Sequence, residues 1–386
     1  MAKTYQEINA KIKQGEAVVV TAEEIVELVQ ENGPKKVAET VDVVTTGTFG
    51  PMCSSGAFLN FGHADPPIKM TKVTLNDVPA YGGIAAVDAY IGATELSLSA
   101  TDYGGAHVIE ELVSGQPVRL VAASSGTHCY PRTEINTVVT LQDLNEAYLF
   151  NPRNAYQNYA AAVNSSAETF YTYMGILQPN LGNVTYATAG CLSPLLNDPY
   201  YRTIGIGTRI FLGGAIGYVS WQGTQHSPSV SRAANGIPQS GAGSLAVIGD
   251  LKEMSPDYIR AASMPRYGVS LFVGIGIPIP VLDEEMVRYL AVSDADIPVP
   301  IVDYGIQRRQ RPILGYTTYA QLQTGFVDIQ GKSIPATPLC SRFKAREIAE
   351  KLKIAISQGD FFLQEPVASL PTTGLAKPLA VKEGDI

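Results

Sequence analysis

The stretch VDVVTTGTFGPMCSSG, residues 41–56, combines a predicted strand with a turn that holds a cysteine, and this combination predicts the fold. Its first five residues are typical of a buried strand, and a run of glycine, proline and serine then holds Cys53. A second stretch follows the same order in outline, because residues 118–123 predict a strand and the string GTHCYPR, residues 126–132, then places Cys129. Sites in α/β proteins tend to collect at the carboxyl ends of strands. We therefore expect a mixed α/β fold in which both cysteines face one cleft.

Helices are predicted at both ends of the chain. Capping-box pairs, Thr4 with Glu7 and Thr21 with Glu24, predict two short helices near the start, the second ending at Gly33. Residues 341–356 have the clearest amphipathic helical pattern. The other predicted elements are strands at 41–45, 68–78, 118–123, 205–219 and 308–338, and helices at 107–113, at 155–163, from Ser255 and at 283–292.

No repeat and no sharp change of composition divides the chain. We expect one large α/β domain over residues 1–386, with glycine-rich strands inside it and residues 366–386 as a loosely held tail. The order of the strands does not follow from the sequence.

The composition excludes several classes of protein. Charged residues make up 17%, the net charge is −8 and no basic stretch occurs, so nucleic-acid binding is not expected. No apolar run approaches the roughly 20 residues that span a bilayer, and no signal peptide is recognisable. Four unclustered cysteines do not form a disulfide framework, which favours a reducing cytoplasm. The 20 tyrosines and the low charge favour a homo-oligomer.

Two of the cysteines lie in segments suited to chemistry. A structural cysteine usually sits in an apolar run, whereas a reactive one needs access and neighbours that favour the thiolate. Cys129 follows His128 and precedes Arg132 by three residues. His128 need not touch the thiol, because adjacent side chains on an extended segment point to opposite faces. Arg132 is either a bidentate ligand for a substrate carboxylate or a solvated turn residue.

Metal and nucleotide motifs are weak or absent. Cys53, Cys129 and Cys191 could in principle ligate an iron–sulfur cluster, but no Cys-x-x-Cys spacing supports one. No nucleophile elbow, phosphate loop or complete dinucleotide fingerprint occurs. Cys340 is interpreted as structural or as the start of a helix, and Cys191 stays undecided, with a structural role favoured.

Several strings resemble one known family. They are PMCSSGAFLNFGH at 51–63, DAYIGATE at 88–95, YGGAHVIE at 103–110, CYPR at 129–132, NPRNAYQNY at 151–159 and GTQH at 223–226. With these strings the chain resembles the sulfur-incorporation proteins of homocysteine biosynthesis, the L-aspartate semialdehyde sulfurtransferases, over about residues 4–363.

The resemblance implies a reaction in which the aldehyde of L-aspartate semialdehyde takes up sulfide-derived sulfur. It implies that Cys129 carries the sulfur as a persulfide and that Cys53 is the second thiol, with an external reductant such as a ferredoxin-type protein. With these roles, Arg132 or Arg153 is expected to hold the substrate carboxylate, and His63 or His128 to manage protons.

Two other functions stay open from the sequence. One is a sulfuration enzyme that depends on an iron–sulfur cluster, and the other is a persulfide carrier that is not itself an enzyme.

Overall fold

The computed structural model describes residues 2–380 of the chain. Within them lie eight α-helices: α1 (Tyr5–Gln14), α2 (Glu24–Asn32), α3 (Pro34–Thr40), α4 (Gly105–Val113), α5 (Pro194–Asn197), α6 (Glu284–Leu290), α7 (Tyr319–Gln323) and α8 (Arg342–Ser357). Short 3₁₀ helices cover Leu141–Asp143, Gly190–Leu192, Leu251–Glu253 and Asp294–Asp296.

The strands of the first half are β1 (Val19–Thr21), β2 (Val43–Thr45), β3 (Thr48–Pro51), β4 (Gly56–Asn60), β5 (Lys72–Leu75), β6 (Val78–Ala80), β7 (Asp88–Gly92), β8 (Val118–Ala123), β9 (Glu134–Val139), β10 (Glu146–Asn154), β11 (Ala161–Val163), β12 (Phe170–Thr172), β13 (Gly175–Leu177) and β14 (Val184–Tyr186). Those of the second half are β15 (Gly205–Ile206), β16 (Arg209–Leu212), β17 (Ala215–Gln222), β18 (Leu245–Asp250), β19 (Ile259–Met264), β20 (Gly268–Gly276), β21 (Pro278–Pro280), β22 (Pro298–Asp303), β23 (Ile313–Thr318), β24 (Phe326–Ile329), β25 (Lys332–Pro338) and β26 (Ala368–Ser369).

Two large sheets dominate the molecule. A nine-stranded antiparallel sheet has the order β19-β20-β16-β17-β18-β10-β4-β7, with β3 pairing to β20. A six-stranded sheet has the order β23-β22-β11-β14-β25-β24, in which β11 runs parallel to β22 and β14 runs parallel to β25. Smaller sheets are β1-β2-β21, β6-β5-β8-β9 and two ribbons, β12-β13 and β15-β26. The predicted mixed α/β class is confirmed, and the structure supplies the strand order.

The apolar residues form one main core with satellites. The largest buried cluster joins the inner face of the nine-stranded sheet to α4, α6 and the β5-β8 pair. A second cluster fills the six-stranded sheet, and a third lies between α1, α8 and the sheets they cover. Buried and exposed residues alternate along the long strand β10, since Ala147 and Leu149 are buried while Glu146 and Tyr148 are exposed. One face of this strand therefore packs against the core.

The terminal helices form as predicted. Thr4 caps α1 through a reciprocal bond with Glu7, and Ser341 caps α8. Gly33 ends α2 with φ 78°, a conformation that glycine adopts readily, and α3 begins at once with a proline in its first turn. The helices predicted at 107–113 and 283–292 are present as α4 and α6, and the strands at 41–45 and 118–123 as β2 and β8.

The helix predicted at residues 155–163 is wrong. Ala155 and Asn158 have φ of 48° and 53°, in the left-handed region, which interrupts any helix. The Asn158 side chain donates to two backbone carbonyl groups, those of Pro238 and Pro298, and so holds the chain in an irregular turn. The apolar end of the segment is strand β11, buried between two neighbours.

Three other predicted elements need correction. Residues 68–78 contain a hairpin, because Asn76 and Asp77 with φ of 48° and 61° form a tight turn between β5 and β6. Ser255 begins only a turn, which leads into strand β19. The region 308–338 is strand-rich as predicted but also holds α7, which Thr318 caps.

Residues after Pro366 touch the domain at several points. β26 pairs with β15, Leu370 is 2% exposed within the main core, and the carbonyl group of Pro371 accepts a bond from the His226 ring, 2.9 Å. The predicted tail beyond residue 380 lies outside the described residues.

Candidate active site

One cavity of about 380 Å³ opens where the nine-stranded and six-stranded sheets meet. Its wall combines the end of β3 and the turn after it, the end of β10, and the loops that follow β14 and β25. The lining residues are Thr48, Gly50, Pro51, Met52, Cys53, Ser54, Arg153, Asn154, Ala155, Tyr156, Tyr159, Tyr173, Met174, Ala187, Thr188, Ala189, Ser193, Pro194, Gln225, Tyr267 and Cys340.

Cys53 brings a thiol to this cavity. It lies in the four-residue connection between β3 and β4, where the bond from the Ser55 N–H to the Met52 carbonyl group closes a turn at 2.9 Å. Its Sγ lies 3.1 Å from Oγ of the fully buried Ser270. Burial raises the pKa of the Cys53 thiol above its ordinary value of 9.0, and the hydrogen bond with Ser270 acts in the opposite direction. The side chain is therefore mainly a thiol at neutral pH, with one hydroxyl group placed to stabilise the thiolate.

Arg153 is the single charged residue of the cavity wall. It lies at the end of β10, where its Nε donates to Thr224 Oγ1 at 3.0 Å. Within residues 2–380 it makes no ion pair with a carboxylate. A half-buried guanidinium group without an acidic partner is suited to an anionic ligand, and its planar fork can bind a carboxylate through two hydrogen bonds.

Four tyrosines also line the cavity: Tyr156, Tyr159, Tyr173 and Tyr267. Tyr159 donates to Tyr173 at 3.3 Å, and the hydroxyl groups of Tyr173 and Tyr304 lie 2.6 Å apart. Burial raises the pKa of Tyr156, Tyr159 and Tyr267, so these phenols stay protonated and can donate hydrogen bonds. No sequence pattern predicted this group, although Tyr156 and Tyr159 lie in the family string at 151–159.

Backbone conformation at this wall is unusual. Ala155 and Gln225 both line the cavity and have φ of 48° and 63°. Non-glycine residues in this region are uncommon and collect at functional sites. Two of them on one cavity wall strengthen its assignment as the candidate site.

Cys129 lies elsewhere, on an exposed loop between β8 and β9. The loop closes on itself through bonds between the backbones of Thr127 and Tyr130, 2.9 and 3.1 Å. The Arg132 guanidinium donates to the carbonyl groups of Asp65 and Pro66 at 2.6 and 2.9 Å, and the Tyr130 ring stacks on His63. His63, His128, Cys129 and Arg132 thus share one surface, which we call the Cys129 surface.

The two predicted reactive cysteines do not share a cleft within one chain. Cys53 precedes the first residue of β4, whereas the Cys129 surface contacts the segment after its last residue. The five residues of β4 rise about 3.3 Å each, so roughly 13 Å of strand separates the two places. The sequence predicted strands at 41–45 and 118–123 but not β3, which directly precedes Cys53: β3 belongs to the nine-stranded sheet, whereas β8 belongs to the four-stranded one.

The other two cysteines are buried. Cys191 lies beside Arg342 and Asp294, and Cys340 donates to the Thr188 carbonyl group at 2.8 Å while touching the cavity. Burial raises the pKa of both thiols, that of Cys340 to about 12. Neither is mainly a thiolate at neutral pH.

No metal-binding group is found in residues 2–380, where no three His, Cys, Asp or Glu side chains cluster suitably. Cys53, Cys129 and Cys191 do not form such a group among these residues. The same residues contain no helix that is long and apolar enough to cross a membrane.

Comparison with known proteins supplies the family. The model of the family described as "Homocysteine biosynthesis enzyme, sulfur-incorporation" matches residues 17–363. A protein of Methanocaldococcus jannaschii named L-aspartate semialdehyde sulfurtransferase is 55% identical in an alignment of 384 residues that covers 95% of this chain and 73% of the relative. One of Methanosarcina acetivorans with the same name is 53% identical over 98% of this chain and 74% of its own length.

A third relative, an uncharacterised protein of Methanothermobacter thermautotrophicus, is 31% identical over 83% of this chain and 72% of its own length. No solved structure matches the chain significantly. The match over most of its length confirms the resemblance found in the sequence: the chain belongs to the sulfur-incorporation family of homocysteine biosynthesis enzymes.

Proposed function

We propose that this protein is a cytoplasmic sulfurtransferase that converts L-aspartate semialdehyde to L-homocysteine with sulfide-derived sulfur and an external reductant. The observation that carries the proposal is the cavity whose wall holds both the Cys53 thiol and the Arg153 guanidinium group, which makes no ion pair within residues 2–380. Two relatives of more than 50% identity carry the name of this activity. A cavity of about 380 Å³ is large enough for a four-carbon amino acid aldehyde.

Arg153 holds the α-carboxylate of the substrate in this proposal. It is the charged group of the cavity, whereas the Arg132 guanidinium is occupied by the carbonyl groups of Asp65 and Pro66. Of the two arginines that the sequence offered, the geometry supports Arg153 for the substrate and Arg132 for holding the Cys129 loop.

The two thiols have separate tasks. Cys129 is exposed and therefore accessible to sulfide and to a sulfur donor, whereas Cys53 lies in the cavity wall, where the substrate binds in this proposal. Hydrosulfide attacks a Cys53–Cys129 disulfide at the Cys129 sulfur, which forms the Cys129 persulfide and releases the Cys53 thiolate. His63 and His128 lie on the Cys129 surface, and we assign them to proton transfer during this loading step.

The transfer of sulfur from Cys129 to the aldehyde then needs no electrons from the external reductant. The terminal persulfide sulfur attacks the aldehyde carbon, and the carbonyl oxygen takes a proton to become a hydroxyl group. The Cys53 thiolate attacks the Cys129 Sγ, so that the disulfide forms again and the sulfur leaves on the substrate as a thiohemiacetal. Loss of water gives a thioaldehyde, and two electrons and two protons from the external reductant give the thiol of homocysteine.

The partners follow from this scheme. The reductant must deliver two electrons to the cavity, and a ferredoxin-type iron–sulfur protein is the proposed class. Since the two thiols lie at opposite ends of β4, Cys129 must approach Cys53 for the disulfide to form, because bridged cysteines need Cα atoms within about 7 Å. We propose a homo-oligomer in which the Cys129 loop of one copy reaches the cavity of another.

The test is a sulfur-transfer assay on anaerobically purified protein with sulfide, L-aspartate semialdehyde and a reductant. Wild type should form homocysteine, whereas Cys129→Ser and Cys53→Ser should each lower the rate by at least about a hundredfold. Homocysteine formation by Cys129→Ser at the wild-type rate would remove the persulfide assignment. A wild type that forms a Cys129 persulfide but no homocysteine would contradict the acceptor and favour a carrier.

A further inference from the structure

Two polar atoms of the cavity wall have no hydrogen-bond partner among residues 2–380. They are Nδ2 of Asn154, a residue only 1% exposed, and Oγ1 of Thr48. Both residues line the cavity that holds Cys53 and Arg153. Buried polar groups in folded proteins are nearly always hydrogen-bonded, so two such atoms on one cavity wall mark a place where a ligand can supply the missing partner.

The way Asn154 is held leaves its amide N–H₂ group available. Its Oδ1 accepts the bond from the N–H group of Ala155 at 2.5 Å, beside the irregularity in the pairing of β10 with β18. The Ala155 backbone, whose N–H group makes this bond, has a φ of 48°. The acceptor half of the side chain is thus used internally, and the donor half is not.

Neighbouring amides in the same segment behave differently. Asn151 donates to Ser55 Oγ at 2.9 Å, Gln157 to the Leu195 carbonyl group at 2.6 Å, and Asn158 to the Pro238 carbonyl group at 2.6 Å. The N–H₂ donors of these three side chains all have partners in the protein, and none of the three residues lines the cavity. Asn154 is the amide of this segment whose donor the fold leaves without a partner.

We propose that Asn154 Nδ2, assisted by Thr48 Oγ1, binds the oxygen on the terminal carbon of the substrate. The inference rests on the proposed function, because it takes the ligand to be a short amino acid aldehyde whose carboxylate lies on Arg153. A neutral amide donor suits a carbonyl or hydroxyl oxygen, while the charged guanidinium group suits the carboxylate. When sulfur adds to the aldehyde, the oxygen gains negative charge, and a fixed donor stabilises it more than the starting carbonyl group.

The experiment compares two unreactive ligands of nearly equal size by calorimetric titration. L-homoserine has a terminal oxygen on the substrate skeleton, and L-2-aminobutyrate lacks it. Wild type should bind L-homoserine about tenfold more tightly, the range of one buried hydrogen bond. Asn154→Ala should reduce the ratio to less than about twofold, and Thr48→Val, which keeps the side-chain shape, should reduce it partly.

Asn158→Ala is the matched control. It removes an amide from the same segment that bonds only to the protein, so it should lower the unfolding temperature and keep the wild-type ratio. If Asn154→Ala does not fold, Asn154→Ser offers an oxygen acceptor for the Ala155 N–H group without the amide N–H₂ donor, and it should likewise lose the preference.

The outcomes separate this inference from the proposed function. A wild-type preference that persists in the folded Asn154 variants overturns the role of Asn154 and leaves the substrate class in place. Equal binding of both ligands by wild type also overturns the oxygen site but retains the amino acid site. Failure of wild type to bind either ligand overturns both.

Discussion

Cys53 and Cys129 differ in exposure and in surroundings, and this difference should decide the order in which they react. With iodoacetamide near neutral pH, Cys129 should be alkylated at least about tenfold faster than Cys53, because only Cys129 is exposed. Burial raises the pKa of Cys53 above 9.0, so its rate of alkylation should still be increasing at pH values above 9. Mass spectrometry of digested samples measures both rates.

Ser270→Ala provides the control for Cys53. It removes the hydrogen bond that favours the thiolate, so the Cys53 labelling profile should move to higher pH while that of Cys129 stays unchanged. Equal labelling rates of the two cysteines in wild type would contradict the environments described above.

The two arginines make a second comparison at this scale. Arg153→Gln should raise the KM for L-aspartate semialdehyde at least about tenfold, because a charge-assisted pair with the carboxylate is lost. Arg132→Gln is the matched change on the Cys129 surface, where the guanidinium group bonds to backbone carbonyls. It should leave that KM unchanged and lower kcat if the loop loses its position. The reverse pattern in steady-state kinetics would exchange the two assignments.

At the scale of elements, one buried carboxylate joins α1 to the three-stranded sheet. Asp42, just before β2, accepts from the Val18 N–H group at 3.0 Å and from Lys11 Nζ at 2.8 Å, and it pairs with Lys3 Nζ at 2.9 Å. Asp42→Ala should lower the free energy of unfolding by about 2 kcal/mol, since the Val18 donor loses its partner. Urea denaturation at pH 7 measures the change, and Glu16→Ala, at an exposed neighbouring position, should change little.

The same carboxylate gives this difference a pH dependence. Burial opposes its charge, but hydrogen bonds from Lys11 and Val18 outweigh burial and lower the pKa of Asp42 below 3.8. The stabilisation is therefore complete above the unfolded pKa and is lost as pH falls through the folded one. The gap between wild type and Asp42→Ala should be constant from pH 7 to 5 and shrink below about pH 4. A gap that grows on acidification would contradict this assignment.

Short-range signals account for the elements that the sequence predicted. The capping bonds of Thr4 and Ser341, and the glycine after α2, act within a few residues, so the ends of α1, α2 and α8 could be located. The predicted helix at 155–163 was wrong because distant carbonyl groups hold Asn158 in a left-handed conformation. Such a bond spans 80 residues or more, and no local pattern contains it.

For the whole molecule, the separation of Cys53 from Cys129 makes a prediction about assembly. When Cys53→Ser and Cys129→Ser chains are allowed to assemble together, sulfur transfer should return, because the Cys129 loop of one copy can serve the cavity of the other. In a random mixture of dimers, roughly a quarter of the wild-type rate is expected, and the purified mixed dimer, with one functional cavity of two, should reach roughly half. Homocysteine formation, with differently tagged chains purified as the mixed species, is the measurement.

Two controls make this result specific. Each single variant assembled with a Cys53→Ser, Cys129→Ser double variant should stay inactive, since no combination then offers both thiols on partner chains. If the mixed species is also inactive, while wild type is active, the loop must reach the cavity of its own chain.

The sequence by itself determined the mixed α/β class, the terminal helices, strands β2 and β8, and the family through strings such as residues 51–63 and 129–132. These depend on neighbouring residues, whose chemistry is readable in order. The tertiary structure alone decided the strand order, the tyrosines and Asn154 at the cavity, and the choice of Arg153 over Arg132 as the arginine in the cavity wall. It also separated the two thiols, because β3 and β8 join different sheets. The partners of a strand are set by long-range packing, and so is the place to which each strand delivers its cysteine.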